Sequence, residues 1–285
     1  MKLNRNNEKE SRRNFLRKVG GALVGTGALA FGGIELYQQN LENKRAYLSA
    51  PIKFKKVPKF SQKGETIGFY LTIDDGPNEC LGSILDLLNS DRRAVFFVLG
   101  SCMEDPQTRC GIDSGNYTKD LVRIIKGGHI VGNHGYSHKH LSELSHSEIE
   151  DELRRTDYLI NQAYDLAGKN REYFFFRCPF GDDGFYDIPG VGKSGSWDTK
   201  KFVHETLDNL GYKIIPLGIY PQDINFEVGQ ISEEDFIYNC SILGNEEILT
   251  IHEIKTTVNL TLPLYFSKPN YVVKDPENLS KLYFT

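Results

Sequence analysis

Apolar residues along this chain fall into short continuous runs rather than strict alternation. From Gly68 onward, runs at 68–73, 94–99, 129–132, 173–176, 213–217 and 247–251 read as strands that are apolar on both faces. Between them the spacing lengthens to that of amphipathic helices, at 80–90, 117–127, 146–168, 199–210 and 232–243. In the longest of these, Ile149, Leu153, Tyr158, Leu159, Ala163 and Leu166 roughly keep one buried face. Ser145 and Glu148 form a capping box at its start. Two insertions interrupt the alternation, 100–116 and the Gly- and Asp-rich 181–196, and Leu260–Phe266 suits a short terminal helix. Buried strands alternating with helices predict a parallel sheet covered on its faces, in one α/β domain, with a barrel as its closed form. In such a fold the chemistry belongs at the C-terminal ends of the strands.

Polar groups do collect there. "LTIDDGPNEC" ends the first run with Asp74 and Asp75, whose side chains should point to opposite faces if the chain stays extended. A turn in which Asp75 bonds nearby backbone N–H groups would explain Asp75-Gly76-Pro77, but it leaves Asp74 without a task. "NHGYSHKHL" follows the third run and carries His134 and His138, four apart, on one face if the segment is helical. Two imidazoles and a carboxylate make a three-ligand site suited to zinc or a related divalent ion. With His140 and His146 close by, a solvated histidine-rich turn stays open as the alternative. "RCPFG" supplies Arg177 after the fourth run, "PQDI" places Asp223 beyond the fifth, and "IHE" ends the sixth at His252. A histidine at a strand end is more often a hydrogen-bonded core residue, and Asp223 could be a loop cap.

Composition changes the picture only at the N-terminus. The 285 residues carry a net charge of −4 with 39% hydrophobic and 25% charged residues, which suits a folded protein and holds nothing global that points to nucleic acid. Residues 1–30 are different. Basic residues precede a small-residue apolar segment from Val19 to about Gly33, too short for a confident membrane span but suited to an export signal. Ser11-Arg12-Arg13-Asn14-Phe15-Leu16-Arg17 resembles the twin-arginine motif, and Ala28-Leu29-Ala30 offers a cleavage site. We therefore expect an export signal over 1–30, a linker over 31–65 and a catalytic domain over 66–285. The expected location is periplasmic or secreted, or membrane-anchored if the signal is retained, with the twin-arginine machinery as a transient partner. Outside the cytoplasm the five cysteines can oxidise, and Cys102 and Cys110 flank a loop that could close as a disulfide.

"TIDDGP", "HGYSH", "RCPFG", the "GYKIIPLGIYPQDI" region and the strand ending at His252 resemble the five ordered motifs of polysaccharide deacetylases, carbohydrate esterase family four. The resemblance covers about residues 66–266. It implies a distorted (β/α) barrel of about seven strands and one divalent ion, zinc foremost, with cobalt, nickel or manganese as alternatives. By the same resemblance Asp75, His134 and His138 hold the ion, and Asp74 is the general base. Arg177 then pairs with that base, Pro179 and Phe180 line the oxyanion position, and the Phe180 N–H supports the oxyanion. His252 protonates the leaving group, steadied by Asp223.

The chain departs from the family pattern with Tyr220 and Ile224 in the fourth motif, Thr250 before His252, and Cys178 and Phe180 in the third. Ile224 can still form an apolar pocket wall, and Trp197, the only tryptophan, is a candidate to line the groove in place of the missing one. The implied substrate is an acetylated glycan, foremost the N-acetylglucosamine units of peptidoglycan or an exported polysaccharide, with no stable protein partner. The alternatives are a C–N hydrolase of small amides or cyclic imides, and a glycan-binding protein on a decayed scaffold.

Overall fold

The structure is a computed structural model that describes residues 65–104, 117–188 and 192–282. The segments expected to be an export signal and, apart from Glu65, a linker lie outside these residues, as does Cys110. The chain runs β1 (Ile67–Gly76), α1 (Leu81–Leu88), β2 (Val95–Val98), α2 (Gly100–Glu104), α3 (Tyr117–Lys126) and β3 (Ile130–Asn133). It continues through α4 (His146–Ala167), β4 (Phe175–Phe176), β5 (Phe185–Ile188), β6 (Gly192–Gly195), α5 (Trp197–Asn209) and β7 (Lys213–Ile214). The last elements are α6 (Asp223–Glu227), α7 (Glu233–Ser241), β8 (Ile248–His252), α8 (Leu262–Phe266), β9 (Tyr271–Val273) and α9 (Leu279–Leu282). Among the described residues, no helix is long and apolar enough to cross a membrane.

Seven strands form one parallel sheet in the order β7-β4-β3-β2-β1-β8, with β9 added beside the start of β1. The expected barrel is therefore present and distorted, since β4 and β7 are only two residues long. Both faces of the sheet are apolar for a geometric reason. Phe69, Leu71 and Ile73 point outward into the helix-covered core, whereas Tyr70, with Val95 and Phe97 of β2, fills the interior. Thr72 and Asp74 continue that inward-facing row toward the mouth.

Between β7 and β8 the sheet closes through irregular chain rather than a full strand. Ile219 bridges Leu249 in parallel, with Ile219 N–H on the Ile248 carbonyl at 2.7 Å and Thr250 N–H on the Ile219 carbonyl at 2.9 Å. That approach needs Gly218, where a Cβ would stand 2.1 Å from the Ile248 carbonyl oxygen.

One reading is corrected. On α4 the capping box forms as expected, but Tyr158 and Leu166 are exposed. The buried stripe runs through Ile149, Glu152, Leu153, Thr156, Ile160 and Ala163, and so includes a carboxylate and a hydroxyl. The 181–196 insertion carries two antiparallel strands, β5 and β6. Cys102 is in a disulfide, while Cys80, Cys178 and Cys240 are buried free thiols.

Substituting Gly218→Ala should force the closing segment off β8 and cost about 1–3 kcal/mol. Urea denaturation measures this directly, and an unchanged midpoint would show that the closure tolerates a side chain.

Candidate active site

Parallel register lines up the strand ends, and with them the site. Asp74 pairs with His252 across β1 and β8, so both side chains face the barrel mouth. Val98 of β2 pairs with Asn133 of β3, and Asn133 with Phe176 of β4. His134 and Arg177 are thus the residues immediately past two neighbouring strands.

Asp74 and Asp75 do not diverge to opposite faces as an extended chain would require. Asp75 adopts φ 70°, and the β1–β2 register slips between Asp74 and Gly76. The bulge turns the second carboxylate back toward the first. His134 Nε2 consequently lies 3.4 Å from Asp75 Oδ1 and 4.0 Å from Asp74 Oδ2.

The histidines converge without the helix that would have put them on one face. Residues 134–140 are irregular, and His138 takes φ 57°, which brings its Nε2 to 3.2 Å from Asp75 Oδ1. Non-glycine residues in this region cost free energy and persist only where surrounding contacts impose them. Phe180 and Gln222, also at the mouth, have φ 58° and 63°.

Asp75, His134 and His138 are, among the described residues, the one group whose ligand atoms lie within 4.8 Å of one another. Their chemistry fits a divalent ion. The His134 Nδ1–H donates to the Arg177 carbonyl at 2.7 Å, because a carbonyl can only accept. In the neutral ring Nε2 then presents a lone pair toward the Asp75 carboxylate. Two imidazole nitrogens and a carboxylate oxygen converging in this way repel one another unless a cation or proton lies between them.

Arg177 crosses the interior beneath this group. Its Nη1 donates to Asp74 Oδ1 at 2.8 Å and to Thr72 Oγ1 at 2.7 Å, and Nη2 to the Pro216 carbonyl at 3.1 Å. Its guanidinium carbon stands 4.3 Å from the centroid of the Phe97 ring. On the other side, His252 Nδ1–H donates to Asp223 Oδ1 at 2.9 Å, and the His252 backbone N–H to Asp223 Oδ2 at 2.7 Å. Thr257 Oγ1 completes the hold on Asp223 at 3.2 Å. Burial pulls the His252 imidazole down, but the Asp223 carboxylate, with Asp75 and Asp74, raises it to about 9.

The candidate substrate residues divide. Pro179 is buried, and the exposed Phe180 ring lies between His138 and His140, 4.4 Å and 4.1 Å from their centroids. Ile224 is half-buried beside Asp223. Trp197 stands apart: it is 70% exposed and packs on Phe185, whereas the next hairpin residue, Tyr186, turns the other way toward His140. The aromatic ring set against His252 is that of Tyr220, at 5.3 Å and 70°.

Sequence reasoning missed the residues that hold the loops. Asp182 accepts from Ser142 Oγ at 2.6 Å, His140 Nδ1 at 3.1 Å and Gly184 N–H at 2.9 Å. Glu253 accepts from Asn78 N–H at 2.5 Å, its own N–H donates to the Asp74 carbonyl, and its carboxyl fills the space beside Gly76. Its position directly after His252 was the available signal.

The sequence profile described as "Polysaccharide deacetylase" matches residues 62–187. The chain is 37% identical over 123 residues to a chitooligosaccharide deacetylase of Rhizobium leguminosarum bv. trifolii, covering 42% of this chain and 49% of that one. It is 32% identical over 114 residues to a peptidoglycan-N-acetylglucosamine deacetylase of Bacillus cereus, covering 39% and 36%. It thus spans about half or less of the length of these two relatives. Among solved structures, a family 4 carbohydrate esterase from Streptomyces lividans in complex with acetate shares the fold, with TM-score 0.54 and 20% identity over 74% of this chain and 94% of that one. The helix-covered parallel half-barrel is the fold shared with that structure. Over residues 62–187 the chain is thus similar to polysaccharide deacetylases, and its fold is that of the solved family 4 esterase.

Burial raises the Glu253 carboxyl to about 8, well above its value in an unfolded chain. The native protein therefore keeps a proton that the unfolded chain releases from about pH 4.5 upward, and stability falls between there and about pH 8. In chelator, wild type should lose stability relative to Glu253→Gln as pH rises from about 5 to about 8. Parallel denaturation curves would place the Glu253 proton elsewhere.

Proposed function

We propose that this protein hydrolyses acetyl groups from an acetylated envelope glycan, with N-acetylglucosamine units as the preferred substrate. The observation that carries this reading is the convergence of three elements at one barrel mouth. They are the Asp75–His134–His138 donor set, the Asp74–Arg177 pair and the Asp223–His252 pair. The named activities of the relatives on chitooligosaccharide and peptidoglycan support the substrate class. The twin-arginine-type start supports export to where such polymers lie.

Asp75, His134 and His138 would hold one divalent ion, zinc foremost. When bound, such an ion supplies Lewis-acid polarisation of the acyl oxygen and makes water acidic enough to attack near neutral pH. The remaining chemistry belongs to side chains. Asp74 Oδ1 is occupied by Arg177, so Oδ2 is the oxygen left to take the proton of the attacking water. His252 has its Nδ1–H committed to Asp223, so the Nε2 proton is the one delivered to the leaving nitrogen or oxygen.

The Phe180 N–H, at the rim, supports the oxyanion as in the family pattern. The raised His252 value keeps this acid protonated through neutral pH. A cation at Asp75 opposes part of that rise, so the working value lies below about 9.

The test uses protein from about residue 31, with metal content and acetate release read on the same sample. Peptidoglycan, chitin oligomers and acetylated xylan are offered side by side. Asp74→Asn should retain the metal and lose about 10²–10⁴-fold in acetate release. Activity in Asp74→Asn within a few-fold of wild type would remove Asp74 as the base. A metal-loaded wild type inactive on every glycan would turn the assignment to small amides.

A further inference from the structure

The two histidines that would hold the ion stand at the ends of a five-residue irregular segment, His134-Gly135-Tyr136-Ser137-His138. Nothing in regular secondary structure fixes that segment, so its shape must come from what its backbone groups touch. Glu152, in the buried stripe of α4 and 7% exposed, supplies most of the answer. Its Oε2 accepts from the Tyr136 and Ser137 backbone N–H groups, each at 2.7 Å, and its Oε1 accepts from Ser137 Oγ at 2.5 Å.

The neighbouring contacts show that the arrangement is built around this carboxylate. The Gly135 N–H is held by Asn133 Oδ1 at 2.8 Å, so three successive amides are capped by side-chain oxygens. Gly135 has φ 78°, and a Cβ there would meet Glu152 Oε2 at 3.3 Å. The opposite edge of the segment is held too. The Gly135 and Tyr136 carbonyls accept from the Gly100 and Ser101 N–H groups of α2, at 3.1 and 2.8 Å.

We infer that Glu152 is a positioning residue for the ion site, fixing the separation and aim of His134 and His138 without touching substrate or ion. A buried carboxyl group that receives several backbone N–H groups is strongly held, and the loop can relax only by leaving its oxygens unsatisfied. Outer residues that orient metal ligands typically govern affinity by about 10–100-fold. The inference rests on Asp75, His134 and His138 being the ligands.

Zinc affinity is measured by competition with a chromophoric chelator, alongside urea denaturation of the metal-free protein. Glu152→Gln keeps the size but replaces one acceptor oxygen with an NH2 from which only the Ser137 hydroxyl can accept, and leaves a weaker amide oxygen for the two backbone N–H groups. It should weaken zinc binding about 10–100-fold in protein that is still folded. Ser137→Ala, which removes one of the three bonds and keeps the carboxylate, should weaken it by less. Glu150→Gln, on the exposed face of α4, should leave it unchanged.

Unaltered zinc affinity in folded Glu152→Gln, with only the denaturation midpoint lowered, would reduce Glu152 to a structural role and overturn the inference. If Glu152→Gln does not fold, Ser137→Ala decides, and wild-type affinity there overturns it equally. Wild type that binds no zinc would fail the ligand assignment itself, an outcome separate from either.

Discussion

A guanidinium buried as deeply as that of Arg177, 1% exposed, is stable only where countercharge and hydrogen bonds replace the lost water. Asp74 provides the charge, and Thr72 Oγ1 with the Pro216 carbonyl provides much of the rest. The side chain therefore spans the interior from β4 to β1 and to the segment that closes the barrel. Its own carbonyl accepts from His134 Nδ1–H and so orients the first histidine. One residue thereby fixes the proposed base by its side chain and a proposed metal ligand by its backbone. Removing one partner of such a buried pair typically costs about 3–5 kcal/mol, because the other charge is left behind.

Around that pair the site is assembled by local departures from ideal geometry. Asp75 and His138 both occupy left-handed backbone conformations, and the β1 bulge reverses the expected divergence of adjacent side chains. Such conformations need compensation from fixed surroundings. Glu253 grips the turn after Asp75, Glu152 grips the segment between the histidines, and Asp182 grips the turn after Phe180. Buried carboxyl groups set behind the loops do the holding, while Asp75 and His252 at the front keep some exposure.

Much of this was legible in the sequence because strand and helix periods are strong signals over these lengths. Six apolar runs became strands, although those expected at 173–176 and 213–217 shrink to two residues each, and Ser145 with Glu148 capped α4 as their spacing required. The candidate chemistry was legible for a related reason, since polar residues ending apolar runs stand out in a parallel α/β fold. What stayed hidden depends on backbone geometry that no short pattern encodes. The spacing of His134 and His138 suggested a helix, yet a left-handed residue brings them together. Glu152 looked like one more charge on a polar helix, and only the register of α4 against the loop buries it. Trp197 was attractive as the only tryptophan, whereas the ring against His252 belongs to Tyr220.

The central claim is a division of labour between two adjacent aspartates, one committed to an ion and the other held off it by Arg177. Crystals soaked in zinc, with anomalous diffraction recorded across the zinc absorption edge, test this most directly. The account predicts one strong anomalous peak bounded by Asp75, His134 and His138, with Asp74 still paired to Arg177 and outside coordination distance. A peak ligated by Asp74, or no peak among these residues, would contradict it.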